Sequence, residues 1–297
     1  MSLIGGSTRW VLFLSTSAPD AETRHILDLA YGVLCLERAG VKMADIAIYI
    51  DGADRVSIDN FIRSGTASAF VVKESKDFFV DQANNTYENV VMFVTGHGGP
   101  QGIDAVAPIT PYTLLKCLKS SPNLQTAVVY LGQCYAGIFN YIGAGRKQTI
   151  DGKVDPDVIF IGATNLHESL SASTMEPFLT GPVSWLANLF LLFAFKWFSK
   201  PVDIDGDGKY TITDSYKYAG VFSNAINKDK KASALAKSVD LQSAWTAARA
   251  VNKATPNIQA QLAEDAAFTC YSELLGLLYI HQECWILNAI PSQSIEV

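Results

Sequence analysis

The sequence predicts an α/β domain built on a mainly parallel sheet that helices cover on both faces. Two continuous apolar runs, 90–94 and 127–131, each stop at glycine. Short runs rich in β-branched residues are typical of strands buried on both faces. Strand-like runs alternate with helix-like segments along the chain, which is the pattern of a parallel sheet. With 297 residues, 49% of them apolar and 18% charged, the chain can bury such a sheet.

The amino-terminal part of the chain contains two further predicted strands and a long helix between them. Residues 10–14 predict the first strand, and residues 45–50 predict the second. Between them, residues 21–39 carry apolar side chains at helical spacing and end at Gly40, which predicts a helix with a glycine cap. The polar stretch 54–82 is mixed in pattern and is interpreted as an excursion from the sheet.

Three later segments continue the alternation of strands and helices. A helix is expected at 110–119, where Pro111 stands at a favourable early position. The apolar run 127–131 predicts a strand, and a second helix is expected to begin just after Cys134. Residues 157–163 predict a fifth strand.

The segment 178–198 is strongly apolar. A helix that spans a membrane needs about 20 apolar residues in succession. Asn188 and Lys196 interrupt this segment, and Gly181 and Pro182 stand near its start. We therefore expect a buried helix here rather than a membrane span; a surface for lipid or for a partner is the alternative.

The carboxyl-terminal part of the chain is expected to be helical. Residues 232–290 have a helical pattern that Pro256 interrupts. The prediction divides the chain into a main domain, 1–231, and a helical segment, 232–297, which either completes the cover of the sheet or forms a separate tail. His281 lies in an apolar part of this segment and is predicted to have no chemical role.

Charge and cysteine content limit the function classes. The net charge is −6, from 23 basic and 29 acidic residues, which argues against nucleic acid as a partner. Five cysteines are too few for a disulfide scaffold, and their odd number predicts at least one free thiol, for which Cys134 is our choice. Residues 1–6 have neither a basic start nor a long apolar core, so no signal peptide is visible and the compartment stays open.

Two reactive side chains follow the two central apolar runs. His97 comes shortly after the run 90–94, and Cys134 comes shortly after the run 127–131. Ligands of open parallel sheets bind at the carboxyl ends of the strands, and neighbouring strands lie about 5 Å apart. A thiolate can attack a carbonyl carbon while an imidazole transfers the protons. Gly98 would let a backbone N–H approach the oxyanion that then develops.

These segments resemble the His-Gly and Cys strand ends of the caspase-like cysteine peptidases (clan CD), and among them the legumain, or asparaginyl endopeptidase, family. Residues 9–14 are similar to that family's first strand. Residues 23–25, Thr-Arg-His, resemble its Arg-His pair at the start of the first helix, and 163–169 resemble the segment after the catalytic strand. The resemblance covers roughly residues 9–225 and does not extend clearly to the carboxyl-terminal part.

The resemblance implies a caspase-like fold and a cysteine endopeptidase that cleaves peptide bonds after Asp or Asn. Cys134 would attack the scissile carbonyl, and His97 would protonate the leaving amine and then activate water. The N–H groups of Gly98 and Cys134 would hold the oxyanion. The partner would be a peptide or protein substrate, with no cofactor needed for catalysis. Two alternatives stay open: a transamidase or ligase using the same acyl-enzyme, and a non-catalytic, calcium-regulated scaffold.

The same resemblance suggests a substrate pocket around Arg24. Legumains bind the side chain of the residue before the scissile bond with an arginine and acidic partners, and Arg24 matches that arginine. The acidic partners are not matched, because Gly132 and the segment 180–182 stand in their places. Glu176 is the candidate that would compensate. Since an Asn amide needs an acceptor and an Asp carboxylate does not, we expect Asp, or both Asp and Asn, before the cleaved bond.

Glu22 takes the place of an asparagine that legumains have two residues before that arginine. If Glu22 faces His97, its carboxylate can orient the imidazole. His25 and His167 are interpreted as structural or pocket-wall residues rather than catalytic ones.

Residues 203–214 have the spacing of a calcium-binding EF-hand loop. Position 12, usually a bidentate glutamate, is an aspartate, which should weaken or reshape the site. The alternative is an acidic turn that caps the following helix, expected near 213–225. The candidate ligands, including the position 7 residue that would bind through its carbonyl, are Asp203, Asp205, Asp207, Lys209 and Asp214.

Overall fold

The computed structural model describes residues 2–148, 152, 154–278 and 283–297, so His281 lies outside the described residues. The chain divides into two compact units. The first combines Met1–Ser223 with Gln282–Val297, and the second is Asn224–His281. The predicted division at residue 231 is therefore corrected: the last residues of the chain return to the first unit instead of continuing the helical segment.

Strands and helices alternate through most of the first unit. Its strands are β1 (Thr8–Leu14), β2 (Ile46–Ile50), β3 (Val72–Lys73), β4 (Asn89–Thr95), β5 (Gly98–Gly99), β6 (Gly102–Ile103), β7 (Thr126–Leu131), β8 (Asp157–Gly162), β9 (Ser171–Phe178), β10 (Gly181–Asn188) and β11 (Trp285–Leu287). The helices of the chain are α1 (Thr23–Arg38), α2 (Arg55–Gly65), α3 (Ser75–Ala83), α4 (Pro111–Ser120), α5 (Leu189–Ser199), α6 (Ile212–Ala254), α7 (Ile258–Leu278) and α8 (Ala289–Ser292).

Seven strands form the central sheet, in the order β11-β8-β7-β4-β1-β2-β3. All neighbouring pairs are parallel except β11, which pairs antiparallel with β8 at the edge. The predicted fold class, a mainly parallel sheet covered by helices on both faces, is confirmed. The helical prediction for 232–297 missed β11 because three residues carry too little periodicity to identify a strand.

Both faces of the sheet are buried, and the central strands supply side chains to each face. Leu12 and Leu14 of β1 point into a core shared with α1 and α5, whereas Val11 and Phe13 point into the core shared with α3 and α4. Helices α1 and α5 approach closely at Gly32, where an added Cβ would lie 2.5 Å from the Phe195 ring. This packing fixes the position of α1, whose first turn contributes to the site described below.

The apolar segment 178–198 differs from its prediction as a single buried helix. Its first part is β10, which pairs antiparallel with β9, and its second part is α5. Side chains along β10 alternate in exposure, and Asn188 begins α5 by accepting a hydrogen bond from the N–H of Leu191. Among the described residues, no helix combines the length and the apolar character that a membrane crossing requires.

The polar stretch 54–82 also contains regular structure. It includes α2, the short edge strand β3 and most of α3. Helix α2 begins at Asp54, whose carboxylate accepts the N–H of Ser57. Its buried residues Ile58 and Ile62 join the core on the α1 face, so this stretch is part of the cover of the sheet rather than an excursion from it.

The second unit contains the later part of α6 and all of α7. The break between the two helices includes Pro256, as predicted. Trp245 of α6 stacks on Tyr271 of α7, with ring centroids 5.7 Å apart, and also contacts Phe268. Aromatic contacts of this kind hold the two helices of this unit together.

Candidate active site

His97 and Cys134 lie at the same edge of the sheet because β4 and β7 are neighbours in register. Val94 pairs with Leu131, and the N–H of Gly132 donates to the carbonyl of Val94 over 2.9 Å. His97 and Cys134 each follow three residues after that matched pair. The two side chains therefore leave adjacent strands at equal distance from the last rung of the ladder.

Gly98 brings the two loops into direct contact. A Cβ added at this position would lie 2.2 Å from the carbonyl oxygen of Cys134 and 2.5 Å from Cγ of Gln133. Only glycine allows so close an approach. The backbone after His97 thus rests on the peptide unit that carries the thiol.

The thiol of Cys134 is partly buried, and its sulfur accepts the N–H of Ser169 over 3.2 Å. Burial raises the pKa of Cys134 above its usual value, although the Ser169 N–H and the Arg24 guanidinium oppose that shift. The expected helix after Cys134, with a lowered thiol pKa, is not found. Tyr135 instead adopts the left-handed conformation, with φ 56°, and a short 3-10 turn at Ala136–Tyr141 follows.

The segment after β8 supports the loop that carries Cys134. The N–H of Tyr135 donates to the carbonyl of His167 over 2.8 Å, and that of Gly137 donates to the carbonyl of Asn165 over 3.1 Å. A Cβ at Gly137 would lie 2.5 Å from the carbonyl carbon of Asn165. In the sequence, this segment was noted only for its resemblance to legumains; in the structure, its backbone holds the loop that carries Cys134.

Glu22 faces His97, and its Oε1 lies 2.5 Å from the Nε2 of that imidazole. Glu22 is the residue just before α1 and has extended backbone, and its side chain makes no capping hydrogen bond to the helix. Hydrogen bonds from Arg24 and then His97 lower the pKa of Glu22 to about 2. An ionised carboxylate therefore orients the imidazole, with the proton on Nε2 and the lone pair on Nδ1.

A buried network lies behind this pair, and the sequence analysis missed most of it. The carboxylate of Asp28 accepts hydrogen bonds from Thr95 Oγ1, the indole N–H of Trp185 and the N–H of Asn188, at 2.9, 2.9 and 3.1 Å. His25 Nδ1 lies 3.2 Å from the same Thr95 hydroxyl oxygen. A signal was present, since Asp28 is an acidic residue on the apolar face of α1 and buried acids are found paired.

Arg24 uses two sides of its guanidinium within the site. Its Nε donates to Glu22 over 2.5 Å, and its Nη1 donates to the hydroxyl of Ser171 over 3.2 Å. The position that would hold an acidic partner, Gly132, is tightly packed, because a Cβ there would lie 2.7 Å from Leu191 Cδ1. A glutamate at Gly132 would force the side chain of Leu191 to move.

Glu176, the predicted compensating acid, is engaged elsewhere. Its carboxylate pairs with Lys196 at 2.5 Å and accepts from Tyr31 Oη at 3.3 Å. Tyr31 lies seven residues after Arg24 on α1, which is about 10 Å along a helix. The structure therefore places Glu176 beside the middle of α1, away from the arginine that it was expected to complement.

Two clefts open beside His97. One has a volume of about 310 Å³ and is lined by the 14–22 segment together with His25, His97 and Asp104. The other, of about 260 Å³, is lined by residues from His97 to Pro108. His97 thus borders two clefts that are open to solvent.

Neither protein-family models nor curated protein sequences give a match to this chain. Its chemistry is therefore argued from the positions of its own residues.

The acidic loop after α5 is closed by its own hydrogen bonds. Asp203 accepts the N–H groups of Gly206 and Gly208 at 2.6 and 2.8 Å, and Asp207 accepts that of Lys209 at 2.8 Å. Carboxylate oxygens of Asp203, Asp205 and Asp214 lie within 4.8 Å of one another.

Two of these carboxylates also have partners outside that group. Buried Asp214 accepts the N–H groups of Ile204 and Thr211, both at 2.9 Å, and Asp205 pairs with Lys217 at 2.9 Å. Asp214 thereby caps the first turn of α6, so these contacts suit the acidic-turn interpretation as well as a cation site.

Proposed function

We propose that the protein is a caspase-like cysteine endopeptidase similar to the legumains, with Cys134 as nucleophile and His97 as general base and acid. The observation that carries this proposal is the position of the two residues. They follow neighbouring strands β4 and β7 at equal distance from the last matched pair, and Gly98 packs on the carbonyl of Cys134. A Cys–His pair at the carboxyl edge of a parallel sheet is suited to acyl transfer.

The reaction would proceed through an acyl-enzyme. The Nδ1 lone pair of His97 accepts the proton of Cys134, and the thiolate attacks the scissile carbonyl. The N–H groups of Gly98 and Cys134 stabilise the oxyanion. The imidazolium, oriented by Glu22, then protonates the leaving amine, and water activated by His97 releases the acid product. An amine in place of that water would give transamidase or ligase activity from the same intermediate.

Deprotonation by His97 is an essential step in this proposal because the environment does not supply a thiolate. Burial raises the pKa of Cys134, so the thiol form dominates at neutral pH. Arg24 opposes that shift but is held by Glu22. The base must therefore act during each catalytic cycle.

The proposed substrate is a peptide or protein with Asp, or Asp and Asn, before the cleaved bond. The charge of the Arg24 guanidinium acts on the Cys134 thiol and lowers its pKa. In the proposed complex, the substrate side chain next to the scissile carbonyl would extend from Cys134 toward this guanidinium. Its Nη1 partner Ser171 is neutral, so a substrate carboxylate can replace that contact with a stronger, charge-assisted bond. An Asn side chain would offer Arg24 only a neutral acceptor, its amide oxygen, at the same position.

Cleavage of matched peptides tests the proposal. Peptides that differ only in Asp or Asn before the bond should both be cut, with the Asp peptide cut at least as efficiently at neutral pH. Cys134→Ala should abolish cleavage of both, and Arg24→Ala should lower kcat/KM for both. A Cys134→Ala protein that still cleaves at the wild-type rate would contradict the mechanism. Folded, cleavage-inactive wild-type protein would favour the non-catalytic scaffold.

A further inference from the structure

His25 is buried, with only 4% of its surface exposed, and its hydrogen bonds identify a ring nitrogen that carries a proton. The Thr95 hydroxyl has one proton, which it donates to Asp28 Oδ2 at 2.9 Å. Its contact with His25 Nδ1 at 3.2 Å therefore requires that Nδ1 carries the proton and donates it to Thr95 Oγ1. In neutral His25, the lone pair must then be on Nε2.

That Nε2 atom has no hydrogen-bond partner among the residues that the structure describes. Leaving a buried polar atom unpaired costs about 1–3 kcal/mol. His25 also lines the 310 Å³ cleft together with Glu22 and His97. The imidazole of His25 meets that of His97 edge to face, with ring centroids 5.3 Å apart. A lone pair without a partner beside a second imidazole is an arrangement suited to a metal ion.

Glu22, His25 and His97 each offer one ligand atom, and these three atoms lie within 4.8 Å of one another. We propose that these residues form a Zn²⁺ site and that the bound metal inactivates the enzyme. Two imidazoles and one carboxylate, with a fourth position open to solvent, are a known ligand set for zinc. Calcium and magnesium prefer oxygen ligands and fit this set poorly.

The surroundings of His25 match those of zinc-bound histidines. Such a histidine donates the proton of its other ring nitrogen to a carboxylate, a carbonyl or water, which fixes the ring and makes the ligand more basic. Here Nδ1 donates to Thr95, which passes the interaction to the Asp28 carboxylate. Asp28 is itself held by Trp185 and Asn188, so the ligand is oriented before any metal arrives.

Binding requires only a small movement of two exposed side chains. Glu22 Oε1 and His97 Nε2 are 2.5 Å apart, whereas ligand atoms of a tetrahedral zinc ion are about 3.3 Å apart. The side chains of Glu22 and His97 are 48% and 49% exposed, so both can open. With Glu22 ionised and both imidazoles neutral, the Nε2 proton of His97 transfers through solvent to Nδ1, and the freed Nε2 lone pair binds the metal with no net loss of a proton.

Inhibition follows from the proposed role of His97 and rests on the proposed function. A neutral imidazole has a single lone pair, and a metal bond through either nitrogen uses it. His97 could then neither accept the proton of Cys134 nor return it to a leaving group. Metal binding itself does not depend on peptidase activity and is measured separately.

Titration of the chelator-stripped full chain with Zn²⁺ by calorimetry tests the site. Wild type should bind one ion per chain. His25→Asn should raise the Kd at least about tenfold, since Asn retains a donor toward Thr95 but has no atom in place of Nε2. Glu22→Gln, a change at an exposed position, should also raise the Kd and provides a second test if His25→Asn fails to fold.

Two matched controls locate the metal. Cys134→Ala and Asp205→Asn should bind Zn²⁺ with the wild-type Kd, because neither residue belongs to the proposed ligand set. Loss of binding in Cys134→Ala would assign the metal to the thiol and overturn the proposal. Equal Kd values for wild type, His25→Asn and Glu22→Gln would overturn it as well.

Peptidase inhibition tests the second half of the proposal. The Zn²⁺ concentration that halves the wild-type rate should match the Kd from calorimetry, and His25→Asn should need at least about tenfold more zinc, relative to its own zinc-free rate. Saturating Zn²⁺ that leaves the wild-type rate unchanged would overturn the inhibitory role. The calorimetric result decides the site even if the chain cleaves no peptide.

Discussion

Among single residues, Glu22 links the start of helix α1 to His97, the proposed general base. Its carboxylate contacts both His97 and Arg24, and these bonds lower its pKa to about 2, so it stays ionised throughout the neutral range. In the proposed mechanism, an anion at this position would stabilise the imidazolium that forms when Cys134 is deprotonated. The asparagine of legumains can orient an imidazole but cannot supply this charge.

Glu22→Gln should therefore lower kcat/KM at least about tenfold, a loss of about 1.4 kcal/mol in transition-state stabilisation. Glutamine keeps the shape and an acceptor oxygen but removes the charge. Steady-state cleavage of an Asp peptide measures the effect, with zinc excluded by chelator. Asp59→Asn on the exposed side of α2 is the matched control and should cleave at the wild-type rate.

The environment of Cys134 predicts how its reactivity depends on pH. Because burial raises the thiol pKa, the thiolate fraction should keep increasing as pH rises through and beyond the usual titration range of cysteine. The rate of alkylation by iodoacetamide, followed by peptide mapping to separate Cys134 from exposed Cys270, should rise accordingly. A rate that reaches its plateau below neutral pH would instead indicate a stable thiolate–imidazolium pair.

Among the structural elements, the two loops that follow β4 and β7 act as one unit through Gly98. Gly98→Ala would place a Cβ 2.2 Å from the carbonyl oxygen of Cys134, so one loop must move. We expect at least about a hundredfold loss of kcat/KM, since misplacement by about 1 Å costs that much. Gly99→Ala has no atom within 4 Å of its Cβ and should lose much less activity. Equal losses would contradict this role of Gly98.

The acidic loop 203–214 remains a predicted calcium site. Its carboxylates are close together, yet Asp214 and Asp203 already accept backbone N–H groups. If calcium binds, the melting temperature should rise by a few degrees in millimolar Ca²⁺, and Asp205→Asn should lose that response. The same melting temperature with Ca²⁺ and with chelator would leave the acidic turn as the correct interpretation.

Some elements could be predicted from the sequence because their local pattern is strong. The strands β4 and β7 contain continuous apolar runs that glycine follows within two residues, and Pro111 begins α4 as expected. The prediction of a single helix over 178–198 was wrong because the high apolar content hid the change from the alternating pattern of β10 to the helix α5. The prediction of a helix directly after Cys134 was wrong because Tyr135 adopts a left-handed conformation that few residues other than glycine favour.

For the whole molecule, the alternation of strands and helices predicted a parallel sheet. The order of the strands in that sheet could not be predicted from local sequence patterns. β11 follows the second unit along the chain and pairs with β8 over three residues at the edge of the sheet. Pairings so distant along the chain leave no periodic signal. The positions of His97 and Cys134 were predictable because both follow central strands. The hydrogen bond between Asp28 and Thr95 was not predictable, because it depends on how α1 packs against β4.

The site also depends on the fold as a whole, since four separate parts of the chain supply or support the His97–Cys134 pair. The start of α1 and the residue before it supply Arg24 and Glu22. The loops after β4 and β7 supply His97 and Cys134, and the segment after β8 holds the Cys134 loop through Asn165 and His167. Each part is anchored in the sheet or its cover. The geometry of the pair is thus a consequence of strand order.

The most direct test of the central claim is covalent labelling by a peptidyl electrophile that carries Asp next to its reactive carbonyl. Intact-mass spectrometry and peptide mapping should show one adduct, on Cys134. His97→Ala should slow its formation at least about tenfold, and Cys134→Ala should form none. An adduct that forms at the same rate in His97→Ala, or that maps to another cysteine, would contradict the proposal that His97 activates Cys134.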